Sequence, residues 1–214
     1  AQGKEDPIDV TGMNINEVVS YIRGDKGTEV NLTIKNAEGA EKVITIIRDV
    51  VIMEEGYAKS LILDYSDENI KNIGYIMLPR FYADFQDAKG RQCANDVARE
   101  IQKLKDQNVE SIILDLRDNG GGSLRDVVNM SGLFIEQGPI VQVKARNIKP
   151  KVLEDTDERV LFDGNLIVMI NQFSASASEI LAAAMQDYNR AVIVGSTSSF
   201  GKGTVQRFVD LDEM

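Results

Sequence analysis

Histidine is missing altogether from the 214 residues. That absence excludes a Ser-His-Asp triad, a Cys-His dyad, an HExxH zinc site and any imidazole acid-base chemistry supplied by this chain. A hydrolase built on this sequence takes its base from Lys, Asp, Glu or Tyr. Cysteine is nearly as scarce. The one copy, Cys93, lies in the helical pattern RQCANDVAREIQKL and reads as a small buried hydrophobe. With no second cysteine there is no internal disulfide, and no metal or cofactor is implied. Basic residues are in deficit, 24 Lys and Arg against 34 Asp and Glu, for a net charge of -10. No basic run with interleaved aromatics offers a phosphate-tracking surface, so nucleic acid is not an expected partner. Long apolar runs are absent too: none approaches the roughly 20 residues of a membrane span. The start, AQGKEDPIDVTG, lacks the basic and apolar regions of a signal peptide. The chain opens in what reads as mid-domain and stops at DLDEM just after an expected strand, so both ends are expected to lie within a longer protein.

What remains is ordinary globular material, 43% hydrophobic and 27% charged, enough for one sizeable core and a smaller appendage. The first 52 residues read as a short helix (INEVVSYIR) and two strands, EVNLTIKN and KVITIIRD, joined by the turn AEGAE. Residues 53–89 read as a linker holding the strand NIGYIMLP and the loop RFYADFQD. From residue 90 to 214 the order becomes regular. Helix RQCANDVAREIQKLKDQ, strand SIILDL, loop RDNGGGS, helix LRDVVNMSGLFIEQ and strand IVQVKA come first. After a polar excursion follow strand NLIVMI, loop NQFSAS, helix ASEILAAAMQDY, strand AVIVG, loop STSSFGKG and strand TVQRFVDL. Strands alternating with helices predict an α/β layered domain with crossover connections.

Three loops of this domain follow strands, and sites of α/β folds assemble at the carboxyl ends of strands. In LDLRDNGGGS, consecutive glycines permit positive φ and leave backbone N–H groups unshielded next to a helix start, which suits a developing negative charge; a tight strand-to-helix turn is the plainer reading. In NQFSASASEI, Ser174, Ser176 and Ser178 alternate with alanines before an apolar-faced helix. One serine suffices as a helix cap, so three with only alanines between them call for another reason. Small neighbours keep a nucleophile approachable, and the N–H after it is placed to serve an oxyanion. In SFGKGTVQ, Lys202 stands between two glycines, which let the backbone approach another element closely. The segment Gly195 to Lys202 is not a phosphate loop: it has one residue too many between the glycines, and Gly203 stands where Ser or Thr belongs.

Together the loops offer oxyanion donors, a hydroxyl nucleophile and a base, which is an acyl-transfer set. For Lys202 to act as base its pKa has to fall from about 10.4 toward 7 or 8, and burial beside an apolar group such as Phe200 is the expected cause. Gln206, four residues on along a predicted strand, falls on the same face as Lys202 and can orient it.

At these residues the sequence resembles the C-terminal processing peptidases, most closely the tail-specific protease (Prc) branch. The blocks that carry the resemblance are DVTGMNINEVVSYIRGDKGTEVNLTI, NIGYIMLPRFY, LDLRDNGGGSLRDVVNMSGLFIEQGPIVQV, FSASASEILAAAMQDYNRAVIVG and FGKGTVQ. The resemblance implies a Ser-Lys endopeptidase core of the crotonase/ClpP-like ββα arrangement, preceded by the later part of a PDZ domain. It implies Ser176 as nucleophile, Lys202 as general base and Gln206 beside it. Ala177 and Gly122 would supply the oxyanion N–H groups, with Gly121 as the alternative to Gly122. Asp187 matches an acidic position sometimes grouped with the catalytic pair. On a continuous helix it sits about three turns, roughly 16 Å, from Ser176, and is expected to be structural. The implied substrates are proteins with disordered C-termini, with a membrane-proximal adaptor as a further partner, in the periplasm or another compartment outside the cytoplasm. Two features depart from the family pattern. Ser196 to Ser199 replace a shorter Glu-Pro-Thr turn, and the carboxylate-binding loop and strand of the PDZ domain are absent. Two rival readings are an inactive peptide-binding scaffold and a crotonase-like acyl-CoA enzyme; the first does not account for the presence of both Ser176 and Lys202, the second for SASAS and FGKG.

Overall fold

A computed structural model describes residues 6–49, 54–64, 72–85, 87 and 90–206. The chain divides into two compact units, Ala1–Met53 and Glu54–Met214.

The smaller unit holds helix α1 (Ile15–Ile22) and the antiparallel strands β1 (Glu29–Lys35) and β2 (Glu41–Ile47). Asn14 caps α1 by accepting from the Asn16 N–H at 2.9 Å. The turn between the strands is shaped by Asn36, whose side chain accepts from the N–H groups of Glu38 and Ala40. Arg48 closes the other end, donating Nε to the Ile22 carbonyl at 2.7 Å and Nη1 to Thr28 Oγ1 at 2.8 Å. That satisfies a carbonyl at the end of α1 with a cation, the sign its dipole favours. The helix buries no residue, and Val30 is the one core hydrophobe among the unit's described residues.

The larger unit is built on a five-stranded sheet in the order β3-β4-β5-β8-β9: β3 (Lys59–Leu63), β4 (Ile73–Met77), β5 (Ser111–Asp115), β8 (Asn165–Ile170) and β9 (Val192–Gly195). Strands β4, β5, β8 and β9 are parallel and β3 is antiparallel to β4. Between them come α2 (Cys93–Lys105), α3 (Leu124–Ser131), the hairpin β6 (Gly138–Val143) and β7 (Lys151–Asp155), and α4 (Ala177–Asp187). The periodicities explain the layers. In α2, Cys93, Val97, Ile101 and Leu104 recur at helical spacing and are buried against Ile76, Ile112 and Leu114, which alternate along β4 and β5. Lys103 and Lys105 in the last turn of α2 suit its dipole. Cys93 is buried as expected, and burial pushes its thiol pKa up.

Four local expectations are corrected. Strand β3 lies where a linker is expected; its five residues alternate in burial but gain their register only by pairing with β4. Strand β7 falls in the polar excursion, where its charged sequence KVLED is carried by the ladder to β6. Helix α3 ends at Ser131 rather than near Gln137, with Gly132 as its C-cap lying against Asp155: a Cβ there would stand 2.3 Å from its carboxylate. Residues 204–206 form no strand, and the rest of TVQRFVDL lies outside the described residues.

Candidate active site

The parallel strands β4, β5, β8 and β9 all point toward one sheet edge, so the loops that follow them meet there. At the end of β5 the Asp115 carboxylate is buried. It receives Arg117 through Nε and Nη2, the latter at 2.7 Å, and the Tyr75 hydroxyl at 2.5 Å. Burial pushes the Asp115 pKa up, but these donors outweigh it and hold the pKa below the ordinary value. The strand-to-loop turn is thereby anchored before the glycines begin.

Gly121 and Gly122 take φ of 95° and 146°, which favour glycine. A Cβ on Gly122 would lie 2.1 Å from the Phe81 carbonyl oxygen, because Phe81 pairs with this loop through its N–H to Gly121 and its carbonyl to the Ser123 N–H. A Cβ on Gly121 would lie 2.8 Å from Ser176 Cβ and 3.0 Å from the Ala177 nitrogen. The glycine loop therefore rests directly on the serine loop. Asn119, fully buried, sets this arrangement. Its side chain donates to the Leu78 carbonyl and accepts the Gly121 N–H, both at 2.9 Å, while its own carbonyl accepts the Ala175 N–H and the Ser178 hydroxyl. The N–H of Gly121 is thus engaged within the loop; those of Gly122 and Ala177 donate to no protein acceptor among the described residues.

The three serines part company. Ser174 and Ser178 are fully buried, and their hydroxyls donate to the carbonyls of Leu116 and Asn119, each at 2.8 Å. Ser176 alone is partly exposed, at the head of α4, with φ 56° and ψ -112°. A non-glycine residue in that region is strained and persists where the surroundings hold it; such strain concentrates at functional sites.

Glu179 was not singled out in the sequence, yet it joins the serine loop to the lysine loop. Its Oε2 accepts the N–H of Ser176 at 2.7 Å and that of Lys202 at 2.9 Å; its Oε1 accepts the Ser199 hydroxyl and the Gly201 N–H, both at 2.6 Å. The backbones of Ser176 and Lys202 are therefore no more than two hydrogen bonds apart, within the span of a lysine's four-carbon stem. Burial pushes the Glu179 carboxyl up, but the four donations outweigh it and hold its pKa below the ordinary value.

The expected burial of Lys202 beside Phe200 is not found: Lys202 is exposed and Phe200 is 63% exposed. The loop packs through its backbone N–H groups onto Glu179 rather than through side chains into the core. Gln206 is exposed on irregular backbone, so strand alternation does not align it with Lys202. Asp187 is the last residue of α4, exposed at the end opposite Ser176. Among the described residues, no group of three or more His, Cys, Asp or Glu side chains is placed to hold a metal.

Comparison with known proteins gives the family. The profile of Peptidase family S41 matches residues 72–214. The chain is 44% identical over 207 residues to the tail-specific protease of Haemophilus influenzae, covering 96% of this chain and 28% of that protein. It is 35% identical over 205 residues to the carboxy-terminal processing protease CtpA of Bacillus subtilis, covering 95% of this chain and 40% of that one. Among solved structures, the photosystem II D1 C-terminal processing protease superposes with a TM-score of 0.61 at 24% identity, covering 95% of this chain and 52% of that one, a likeness of fold. The chain thus spans less than half the length of these two curated relatives. With a family profile over most of its length and a relative this similar across nearly all of it, the chain belongs to peptidase family S41, the C-terminal processing peptidases.

Proposed function

We propose that this chain carries the peptide-hydrolysing centre of a serine endopeptidase, with Ser176 as nucleophile and Lys202 as base. The observation that carries the reading is Ser176 itself, the one accessible serine of three, in strained backbone, joined to the Lys202 backbone through one carboxylate oxygen. Ser176 Oγ attacks the scissile carbonyl carbon as its proton passes to the neutral amine of Lys202. The oxyanion is received by the N–H groups of Ala177 and Gly122; the engaged N–H of Gly121 favours Gly122 of the two glycines. The C–N bond then breaks, the leaving amine takes the proton from the Lys202 ammonium, and an ester to Ser176 remains. Water attacks that ester, Lys202 takes its proton, and Ser176 regains its own as the acid product departs. Because Lys202 is exposed in the free chain, the substrate covering the loop excludes water from its amine. Gln206 is a candidate to orient Lys202 once the loop is covered, and Asp187 is assigned a structural role.

The substrates are protein tails without fixed structure, which can thread between the loops as extended chain. The smaller unit, a helix with an antiparallel strand pair, is read as the later part of a PDZ domain that helps present such tails. The setting is read as outside the cytoplasm, in the periplasm for a bacterial protein, with a membrane-proximal adaptor as accessory. The test is cleavage of an unfolded protein substrate and labelling by a fluorophosphonate. Wild type is expected to do both, Ser176→Ala neither, and Lys202→Met to lose cleavage while keeping the fold. Retained cleavage by Lys202→Met overturns the assignment.

A further inference from the structure

The described phenylalanines fall into two groups. Phe81, Phe134 and Phe162 are buried in the core, whereas Phe85, Phe173 and Phe200 are 84%, 57% and 63% exposed. The exposed three stand on the loops after β4, β8 and β9, the loops that run from the carboxyl edge of the sheet. A lone exposed apolar side chain needs no explanation, but every exposed phenylalanine on the loops at one edge does.

Two of them are tied to the reacting residues by chain and by hydrogen bond. Phe173 precedes Ser176 by three residues and Phe200 precedes Lys202 by two. The Phe200 N–H donates to the carbonyl of Ser174, the residue after Phe173, at 3.0 Å. The two phenylalanines therefore sit on loop segments joined backbone to backbone beside the nucleophile. The two acids bonded to these segments are engaged within the protein, Glu179 by four donors and Asp118 by the Asn171 amide. Segments 171–176 and 196–206 hold a single ionisable side chain, Lys202, within a chain of net charge -10. Serine, threonine, glycine and amides fill most of the remainder, and Phe173, Phe200 and Val205 are the exposed large apolar groups.

We infer that Phe173 and Phe200 form an apolar lip beside Ser176 that selects peptide segments with an aliphatic or aromatic side chain next to the bond to be cut. The inference rests on the reading of Ser176 as nucleophile and adds the substrate class. Folded proteins bury such side chains and unfolded segments expose them, so the lip lets the catalytic unit itself favour unfolded chain.

The test compares two internally quenched peptides that differ only in Leu or Ser at the residues flanking the scissile bond, cleaved by the full chain. Wild type is expected to favour the Leu peptide by about tenfold or more in kcat/KM. Phe173→Ser with Phe200→Ser is expected to bring the ratio within about threefold, while Phe173→Leu with Phe200→Leu keeps it. Fluorophosphonate labelling of Ser176, which needs no apolar flank, is expected to proceed at the same rate in all three. If the double serine variant unfolds, Phe173→Gln and Phe200→Gln made singly carry the same comparison. Equal cleavage of both peptides by wild type, or a preference that survives loss of both rings, overturns the lip. Peptide binding to Ser176→Ala by fluorescence anisotropy separates the two readings. A Leu preference in binding that the ring substitutions abolish, with no labelling or cleavage by wild type, sinks the hydrolase reading and leaves the lip standing.

Discussion

The backbone N–H of Lys202 donates to the carboxylate of Glu179 at 2.9 Å, and the oxygen that accepts it also holds the N–H of Ser176. A residue in the first turn of α4 thereby ties together the loops that carry Ser176 and Lys202, the proposed nucleophile and base. Two separate pieces of chain are joined because both have N–H donors to spare and one half-buried carboxylate accepts from each.

Glu179→Gln keeps the shape but turns an amide N–H toward donors that need an acceptor. We expect kcat to fall by about tenfold or more with a smaller change in KM, since the loss is of alignment rather than of substrate contact. Hydrogen bonds to a charged group are worth about 1.5–3 kcal/mol each, so thermal unfolding is expected to move down as well. Steady-state kinetics on the Leu peptide and a melting curve check both.

The same carboxylate sets a pH dependence. Its folded pKa lies below its unfolded value, near 4.5, so its contribution to stability is full above that value and is lost as pH falls through the folded pKa. Urea unfolding between pH 7 and pH 3 is expected to show wild type losing stability at the acid end more steeply than Glu179→Gln. Equal slopes would remove Glu179 from the account.

Alanine at the two glycines is expected to act differently. Gly122→Ala pushes a methyl into the backbone carbonyl of Phe81, which has nowhere to go, and is expected to cost about 1–3 kcal/mol of stability or more. Gly121→Ala meets the Ala175 carbonyl as well as Ser176 Cβ and the Ala177 nitrogen, so a loss of fluorophosphonate labelling is expected on top of a stability cost. Denaturant unfolding set beside labelling rates distinguishes them.

Ser174→Ala and Ser178→Ala each remove a buried hydroxyl that pairs with a carbonyl. Each is expected to cost about 1 kcal/mol and leave labelling in place, whereas Ser176→Ala is expected to abolish labelling. Mass spectrometry of the labelled peptide locates the modified serine.

Asp115→Asn leaves Arg117 and Tyr75 without their charged acceptor at the end of β5. With the guanidinium half exposed, a loss of about 2 kcal/mol is expected, less than for a fully buried pair. Burial works against the carboxylate and its donors win, so this contribution too is present near neutrality and lost in acid.

Much of this was legible in the linear order of residues. Periodicity placed the helices and the strands β4, β5, β8 and β9, because burial on one face leaves a local trace in spacing. The absence of histidine, the glycine triplet, the serine run and the glycine-flanked lysine marked the three loops. Strands β3 and β7 left little trace, since their identity comes from a neighbour's ladder rather than from their own side chains. Asn119 and Glu179 left none: an asparagine before glycines and a glutamate in a helix are ordinary until the partners 41 and 23 positions away are brought to them.

From residues alone, then, came the chemistry available, a hydroxyl, an amine and flexible N–H donors with imidazole excluded, since side-chain chemistry needs no fold to be known. Which serine is reachable, which glycine keeps its N–H to give, and that Lys202 stands exposed rather than buried were decided by the tertiary structure. Accessibility and hydrogen-bond occupancy depend on segments distant in sequence, and only packing brings those together.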